Sequence, residues 1–284
     1  MILIEFFLIS VIINIIFWYR EYSRNRKYPI ILLFHQIENN WRPGVGWNYL
    51  SQFNRFMNYL KDNNYNVLPL SILLENTKRY SRKEIIITFD DGYEDVYKYV
   101  YPIMKKYDFP FAIFPIVDYF GKYNDWDFVI GEKTRHLDIK QLIELSNDEF
   151  VTIGSHTLNH LDLNRVSKQI MRSEIVNSKE KLEKIIGRDV DYLSYPFGIY
   201  NDTIIKITKD SGYKMALGYY ARKNSDSYYT IPRTGIYLID TMSDFKLKLN
   251  NYFVIFDWFE DLKGRTINLL SNLACNNKRK SEIY

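Results

Sequence analysis

The sequence predicts an α/β protein with a mainly parallel sheet, and three observations carry that prediction. Short apolar runs rich in Ile, Leu, Phe and Val recur at residues 30–34, 85–89 and 109–114, as in strands buried on both faces. Amphipathic stretches of helical period separate them, the alternation expected of βα units. Polar residues close the runs, His35 after the first and Asp90-Asp91 after the second, and the carboxyl ends of parallel strands are where sites assemble. At 284 residues, 46% hydrophobic and 25% charged, the chain is globular and long enough for one α/β barrel or two smaller domains; one is expected.

Residues 1–27 read as a membrane anchor and basic linker. Residues 2–19 are nearly all Ile, Leu, Phe and Val, interrupted by Glu5, Ser10 and Asn14. The uncharged part, 6–19, falls short of the ~20 residues that span a bilayer, so Glu5 must snorkel for the run to reach. Trp18, Tyr19 and Tyr22 beside Arg20 and Arg24 make an interfacial belt; a buried core helix is the alternative. No Lys or Arg precedes the run and no small-residue cleavage site follows it, which disfavours a cleaved signal peptide. The basic residues after the run would hold the following domain on the inner side of a membrane.

Residues 28–250 form the body. After the 30–34 strand, residues 36–48 read as loop from their Asn, Pro and Gly. Phe53, Phe56, Met57 and Leu60 have helical spacing; 67–70 is a short strand or edge, and 72–80 a helix. The 85–89 strand ends in Asp90-Asp91, where Gly92 lets the chain turn. A helix over 93–107, a strand over 109–114 and a polar rim over 121–136 follow, then a helix at 139–145 and a strand at 150–154. Residues 167–186 form an amphipathic helix with Gly187 as its C-cap. A strand from 192 runs into Pro196-Phe197-Gly198, a turn able to aim amide N–H groups into a site. A helix at 202–211, a strand at 214–218 and a closing segment at 230–236 complete the body. Residues 251–284 carry a helix at 262–273 and a basic tail.

Cys275 is the single cysteine, which excludes an intramolecular disulfide framework and a multi-cysteine zinc site. The net charge of +4 comes from the two termini, and the neutral body offers no electrostatic footprint for nucleic acid. Abundant Tyr and Phe suit either a core or sugar stacking. Two carboxylates closing an apolar strand call for a metal ion, a shared proton or a helix to cap. Neighbouring strand residues face opposite ways, an objection that weakens at a strand's end. His156 and His160, at i and i+4, lie on one face if 155–160 is helical, and can then reach one ion. His136 has no role in this reading. One Asp with two His leaves positions open on a metal that polarises a carbonyl and acidifies water, while a second Asp takes a proton and a further His supplies one.

Thr88-Phe89-Asp90-Asp91-Gly92, Ser155-His156-Thr157-Leu158-Asn159-His160 and Tyr195-Pro196-Phe197-Gly198 together resemble the motifs of the polysaccharide deacetylases, the NodB-homology family (carbohydrate esterase family four). The likeness runs from about residue 30 to about 237. It implies an irregular (β/α) barrel that removes N-acetyl groups from N-acetylhexosamine polymers with one divalent ion, commonly zinc. Carried over, Asp90 is the general base, Asp91, His156 and His160 bind the metal, and the Phe197 amide, with Tyr195 of the same motif, serves the oxyanion and substrate. Two departures stand out. The family's acid histidine near the carboxyl end has no counterpart after His160, whereas Leu33-Phe34-His35 is similar to the permuted poly-N-acetylglucosamine deacetylases of biofilm matrix, which makes His35 the candidate acid. The motif's usual Arg is Ser194 here, and Arg233 is a candidate replacement partner for Asp90. The resemblance favours an N-acetylated polysaccharide partner and a domain outside the membrane. The alternatives are a deacylase of a lipid-linked or small N-acyl substrate, and a non-catalytic carbohydrate-binding protein on the same fold.

Overall fold

A computed structural model describes residues 28–41, 46–75, 80–124, 133–219, 227–250, 263, 264 and 266. The strands are β1 (Ile30–Phe34), β2 (Gln36–Glu38), β3 (Trp47–Tyr49), β4 (Asn66–Val67), β5 (Glu84–Asp91), β6 (Phe111–Pro115), β7 (Val151–Ile153), β8 (Tyr192–Ser194), β9 (Met215–Gly218), β10 (Ile231–Pro232) and β11 (Thr234–Gly235). The helices are α1 (Leu50–Asp62), α2 (Tyr101–Tyr107), α3 (Ile139–Ser146), α4 (Lys168–Ile186), α5 (Asp202–Asp210) and α6 (Met242–Asn250).

Among the described residues every strand pair is parallel, in a six-stranded sheet ordered β11-β1-β5-β6-β7 with β4 beside β5, a three-stranded sheet β10-β9-β8, and the pair β2-β3. The expected α/β class with a parallel sheet is present. Among the described residues the strand pairings do not close into one ladder, so they do not by themselves establish the expected barrel.

Alternation along the strands sorts the core into two layers. Ile30, Leu32, Phe34, Ile85, Ile87 and Phe89 pack outward against Phe53, Phe56 and Met57 of α1 and residues of the later helices. Phe34 stacks on Phe89 at 5.5 Å, and Phe53 meets Phe34 edge-on at 5.4 Å. Ile31, Ile86, Ala112 and Phe114 face inward, where they meet Met215, Leu217 and Ile231 of the smaller sheet. Strands covered on both faces explain the unbroken apolar runs, and each fully buried Ile or Leu contributes roughly 1.5–3 kcal/mol.

Several expectations are corrected. Residues 36–48, read as loop, contain β2 and the start of β3, whose short polar strands lack the apolar pattern that marks the others. The helix expected over 72–80 is a 3-10 turn at Leu70–Leu74 among the described residues, entered from Pro69, whose ring fixes the approach. The 93–107 helix is present but widened by a π turn at Val96–Val100. The anchor expected in 1–27 and most of the 262–273 helix lie outside the described residues. Among the described residues no helix is long and apolar enough to cross a membrane.

Candidate metal and carboxylate site

Inward-facing positions at the carboxyl ends of the strands gather the polar residues. Phe34 of β1 pairs with Phe89 of β5, so the next residues along, His35 and Asp90, stand side by side with the inward parity of Ile31 and Ile86. Asp91 breaks the alternation because it lies in the left-handed region at φ 69, and Gly92 follows at φ 69. This conformation is uncommon for a residue with a side chain. It resolves the opposite-face objection, since both carboxyl groups reach His156. A Cβ on Gly92 would lie 2.6 Å from Pro115 Cβ, so the turn also needs the missing side chain. His136 donates from Nδ1 to the Asp91 carbonyl at 2.9 Å and stacks on Tyr93, holding the turned backbone, a role that no sequence pattern assigns it.

The 155–160 segment is not a helix. Thr157 and His160 adopt φ of 65° and 56°, and the segment bonds outward instead: the His156 amide donates to Pro115 O, and the amides of Val117 and Asp118 donate to Thr157 O and Leu158 O. Asn159 donates twice to the buried carboxylate of Glu174 on α4, each bond 2.9 Å. The i, i+4 spacing therefore reaches one point through a clamped loop. His156 Nε2 lies 3.5 Å and His160 Nε2 3.7 Å from Asp91 Oδ1, and the three ligand atoms lie within 4.8 Å of one another.

These residues fit a divalent ion. Bonds of ~2.0–2.1 Å in tetrahedral array put ligand atoms about 3.4 Å apart, close to the two separations from Asp91. His156 Nδ1 lies 2.8 Å from the Ser194 carbonyl, and a carbonyl only accepts, so Nδ1 carries the proton and Nε2 offers its lone pair. Burial lowers the pKa of His156, while Asp90 and the Ser194 bond pull it up; the neutral form is the one a metal binds.

Asp90 is held separately. Arg233, in the one-residue step between β10 and β11, donates Nη1 to Asp90 Oδ1 at 2.8 Å and Nη2 to Oδ2 at 2.7 Å. Ser194 Oγ donates to the same Oδ2 at 2.9 Å and accepts from Arg233 Nη2 at 2.7 Å. Burial by itself would raise the Asp90 carboxyl; the Arg233 charge, with His156 and the Arg233 bonds behind it, brings it down to about 2. Burial lowers His35 to about 4, with Asp90 pulling up and Arg233 and His156 pushing down. Nδ1 of the half-buried His35 has no hydrogen-bond partner among the described residues.

Phe197 sits in the left-handed region at φ 58, ψ 10, and its ring meets the His160 ring edge-on at 4.6 Å. Tyr195 is not brought to the site. Its ring is fully buried in the outer layer, its hydroxyl donates to Tyr229 O at 3.1 Å and its amide to Leu217 O at 3.0 Å. Strand alternation sends Ser194 inward and Tyr195 outward, which corrects the expectation that placed Tyr195 on the substrate. Reasoning from sequence also missed Glu174, hidden among the charged residues of α4, and the hydroxyl of Ser194.

A family model described as polysaccharide deacetylase matches residues 77–216. The match takes in Asp90, Asp91, His156, His160, Tyr195 and Phe197 and leaves His35 and Arg233 outside. A Bacillus subtilis protein named as a polysaccharide deacetylase, YxkH, is 35% identical over 194 residues, which cover 67% of this chain and 64% of the relative. A Staphylococcus aureus poly-beta-1,6-N-acetyl-D-glucosamine N-deacetylase is 30% identical over 194 residues, 64% of this chain and 65% of the relative. The matched region thus spans about two thirds of these curated relatives, just under that share in both. The deacetylase PplD of Streptococcus pyogenes, solved with acetate, superposes with a TM-score of 0.66 at 24% identity, covering 78% of this chain and 97% of that one. IcaB of Ammonifex degensii superposes with a TM-score of 0.64 at 18% identity, covering 78% and 95%. At those identities the two structures speak to fold alone. Motif order, sequence and fold thus agree around Asp91, and residues 77–216 match the polysaccharide deacetylase family.

Proposed function

We propose that this protein is a metal-dependent deacetylase of N-acetylhexosamine polymers, of the poly-N-acetylglucosamine type that the Staphylococcus aureus relative is named for. The observation that carries the reading is the convergence of Asp91, His156 and His160 beside a second carboxylate, Asp90, that is tied to an arginine. Asp91, His156 and His160 would hold one ion, most naturally zinc given nitrogen and oxygen donors at tetrahedral spacing. When bound, that ion supplies polarisation of the amide carbonyl and acidification of water. Asp90, ionised and fixed, receives the proton from the attacking water. The Phe197 amide, turned by its left-handed backbone, faces the developing oxyanion. His35, beside Asp90, carries the proton to the departing nitrogen as the C–N bond breaks, so acetate and a free amine leave.

The two sheets read as parts of one irregular barrel, linked by the Ser155–Leu193 bridge and by the Arg233 step. Residues 28–250 are read as the catalytic domain. Residues 1–27 are read as an anchor that keeps it at a membrane, on the outer side where such polymers lie; protease protection on intact cells tests that side.

Purified protein incubated with N-acetylglucosamine oligomers should release acetate, lose that activity to a chelator and regain it with zinc. No release from protein that carries about one bound zinc per chain would overturn the reading.

A further inference from the structure

Ser194 is the residue through which the metal-ligand set and the proposed base touch a common support. It is fully buried at the end of β8, and all of its polar groups are engaged. Its amide donates to Ser155 O at 2.8 Å, next to the first ligand histidine. Its carbonyl accepts from His156 Nδ1 at 2.8 Å. Its hydroxyl donates to Asp90 Oδ2 at 2.9 Å while accepting from Arg233 Nη2 at 2.7 Å. The main chain of this one residue orients a histidine ligand and its side chain orients the carboxylate, whose Oδ2 lies 3.8 Å from His156 Nε2.

We propose that the Ser194 hydroxyl is a positioning group for the deacetylation: it fixes the Asp90 carboxylate relative to the His156 ligand edge. Arg233, whose further hydrogen bond is a long one of 3.4 Å from Nη1 to Thr88 Oγ1, leaves one freedom open. A bidentate guanidinium and carboxylate share a plane, and the pair can tilt together about the arginine's long stem. The hydroxyl bonds one carboxylate oxygen and one guanidinium nitrogen from a strand backbone, and so stops that tilt. A hydroxyl is the right size for the task. It both donates and accepts, so it satisfies the carboxylate and the guanidinium together, which neither a methyl nor a second cation does. The strand backbone, already bonded on both its polar atoms, gives it the rigidity that a precise site requires.

This inference rests on the deacetylase reading, and its test separates the two. S194A keeps the backbone carbonyl on His156, so zinc affinity, read by chelator competition, should stay within about twofold. On N-acetylglucosamine oligomers kcat should fall roughly tenfold with KM unchanged, the loss expected for one charge-assisted bond that matters to a reacting group. S194T, which keeps the hydroxyl, should recover most of that rate. A second readout needs no turnover: in metal-free protein the melting temperatures of S194A, D90N and the double variant should be non-additive by about 2–4 °C. No acetate from the parent enzyme overturns the deacetylase reading, and the melting cycle then judges the contact alone. An active parent with S194A turning over at the same rate overturns the inference while leaving the reading intact. So does S194T as slow as S194A at an unchanged melting temperature, and so does an additive melting cycle.

Discussion

Asp90 and Asp91 are neighbours with different surroundings, and the difference comes from one backbone angle. With φ of 69° at Asp91, one carboxylate meets two histidines and the other an arginine. D90N should therefore keep its zinc and its fold and lose roughly 10²–10⁴ in turnover; activity within a few-fold of the parent would make Asp90 structural. His35 makes a sharper test. An amine is a poor leaving group until it gains a proton, so H35A should slow an N-acetyl substrate severely and an activated ester much less. Equal loss on both would remove His35 as the acid. The depressed pKa of His35, about 4 against an ordinary 6.5, also has a sign in stability. Between those values the unfolded chain binds a proton that the folded one excludes, so stability falls as pH drops from 6.5 to 4. The Asp90 contribution is present above its ordinary 3.8 and is lost only as pH falls toward 2. Melting temperatures of metal-free H35Q should accordingly decline less steeply than the parent's between pH 6.5 and 4, and an unchanged slope would contradict the burial assigned to this ring.

At the level of elements, the ligand loop is only as firm as its hold on α4. Glu174 accepts both Asn159 donors from within the buried face of that helix, and Ser155 Oγ reaches Ser178 Oγ at 2.9 Å on the same helix. E174A should leave the fold standing and weaken zinc binding by roughly 10–100-fold, the usual effect of losing a partner behind the ligands; a chelator competition showing zinc affinity within twofold would sink this account. Neither contact was legible in the sequence, because a glutamate on a charged amphipathic helix reads as solvent-facing until the loop fifteen residues before it is known to cover it. What was legible had a local physical cause. Ile30–Phe34 is a strand residue for residue, since apolar β-branched runs have few other uses, and Gly187 ends α4 at φ 71, as a left-handed cap should. The histidine pair was nameable because the whole chain has four histidines, while the choice of Asp91 over Asp90 beside it came from the motif resemblance. The helical condition on 155–160 was not needed, because a spacing of four also suits a loop whose carbonyls and amides are taken by a neighbouring strand end. Arg233 was nameable as a partner for Asp90, yet its hydrogen bonds join residues 143 apart, a distance no sequence period covers.

For the whole molecule the question is where the folded unit begins and ends. At the front, Tyr28 is half-buried against the inner layer and β1 starts at Ile30, so the described fold begins at residue 28. At the back the boundary at 250 is less clean. Asp240, fully buried, accepts from Lys248 of α6 and from Lys263, the latter at 2.8 Å, and its Oδ2 also receives the Tyr237 amide at 2.8 Å. A cut at 250 removes one of two cations from a buried carboxylate, and uncompensated buried charge is costly. A chain of residues 28–284 should melt within a few degrees of the 284-residue chain, about 2–4 °C per kcal/mol for a domain of this size, and should move from the membrane pellet to the supernatant. A chain of residues 28–250 should also leave the membrane but melt measurably lower, with K263A in the 28–284 chain reproducing part of that drop. Continued pelleting of 28–284 with bilayer would shift the anchor away from residues 1–27, and equal melting of the two truncated chains would mean that Lys263 contributes nothing to the domain.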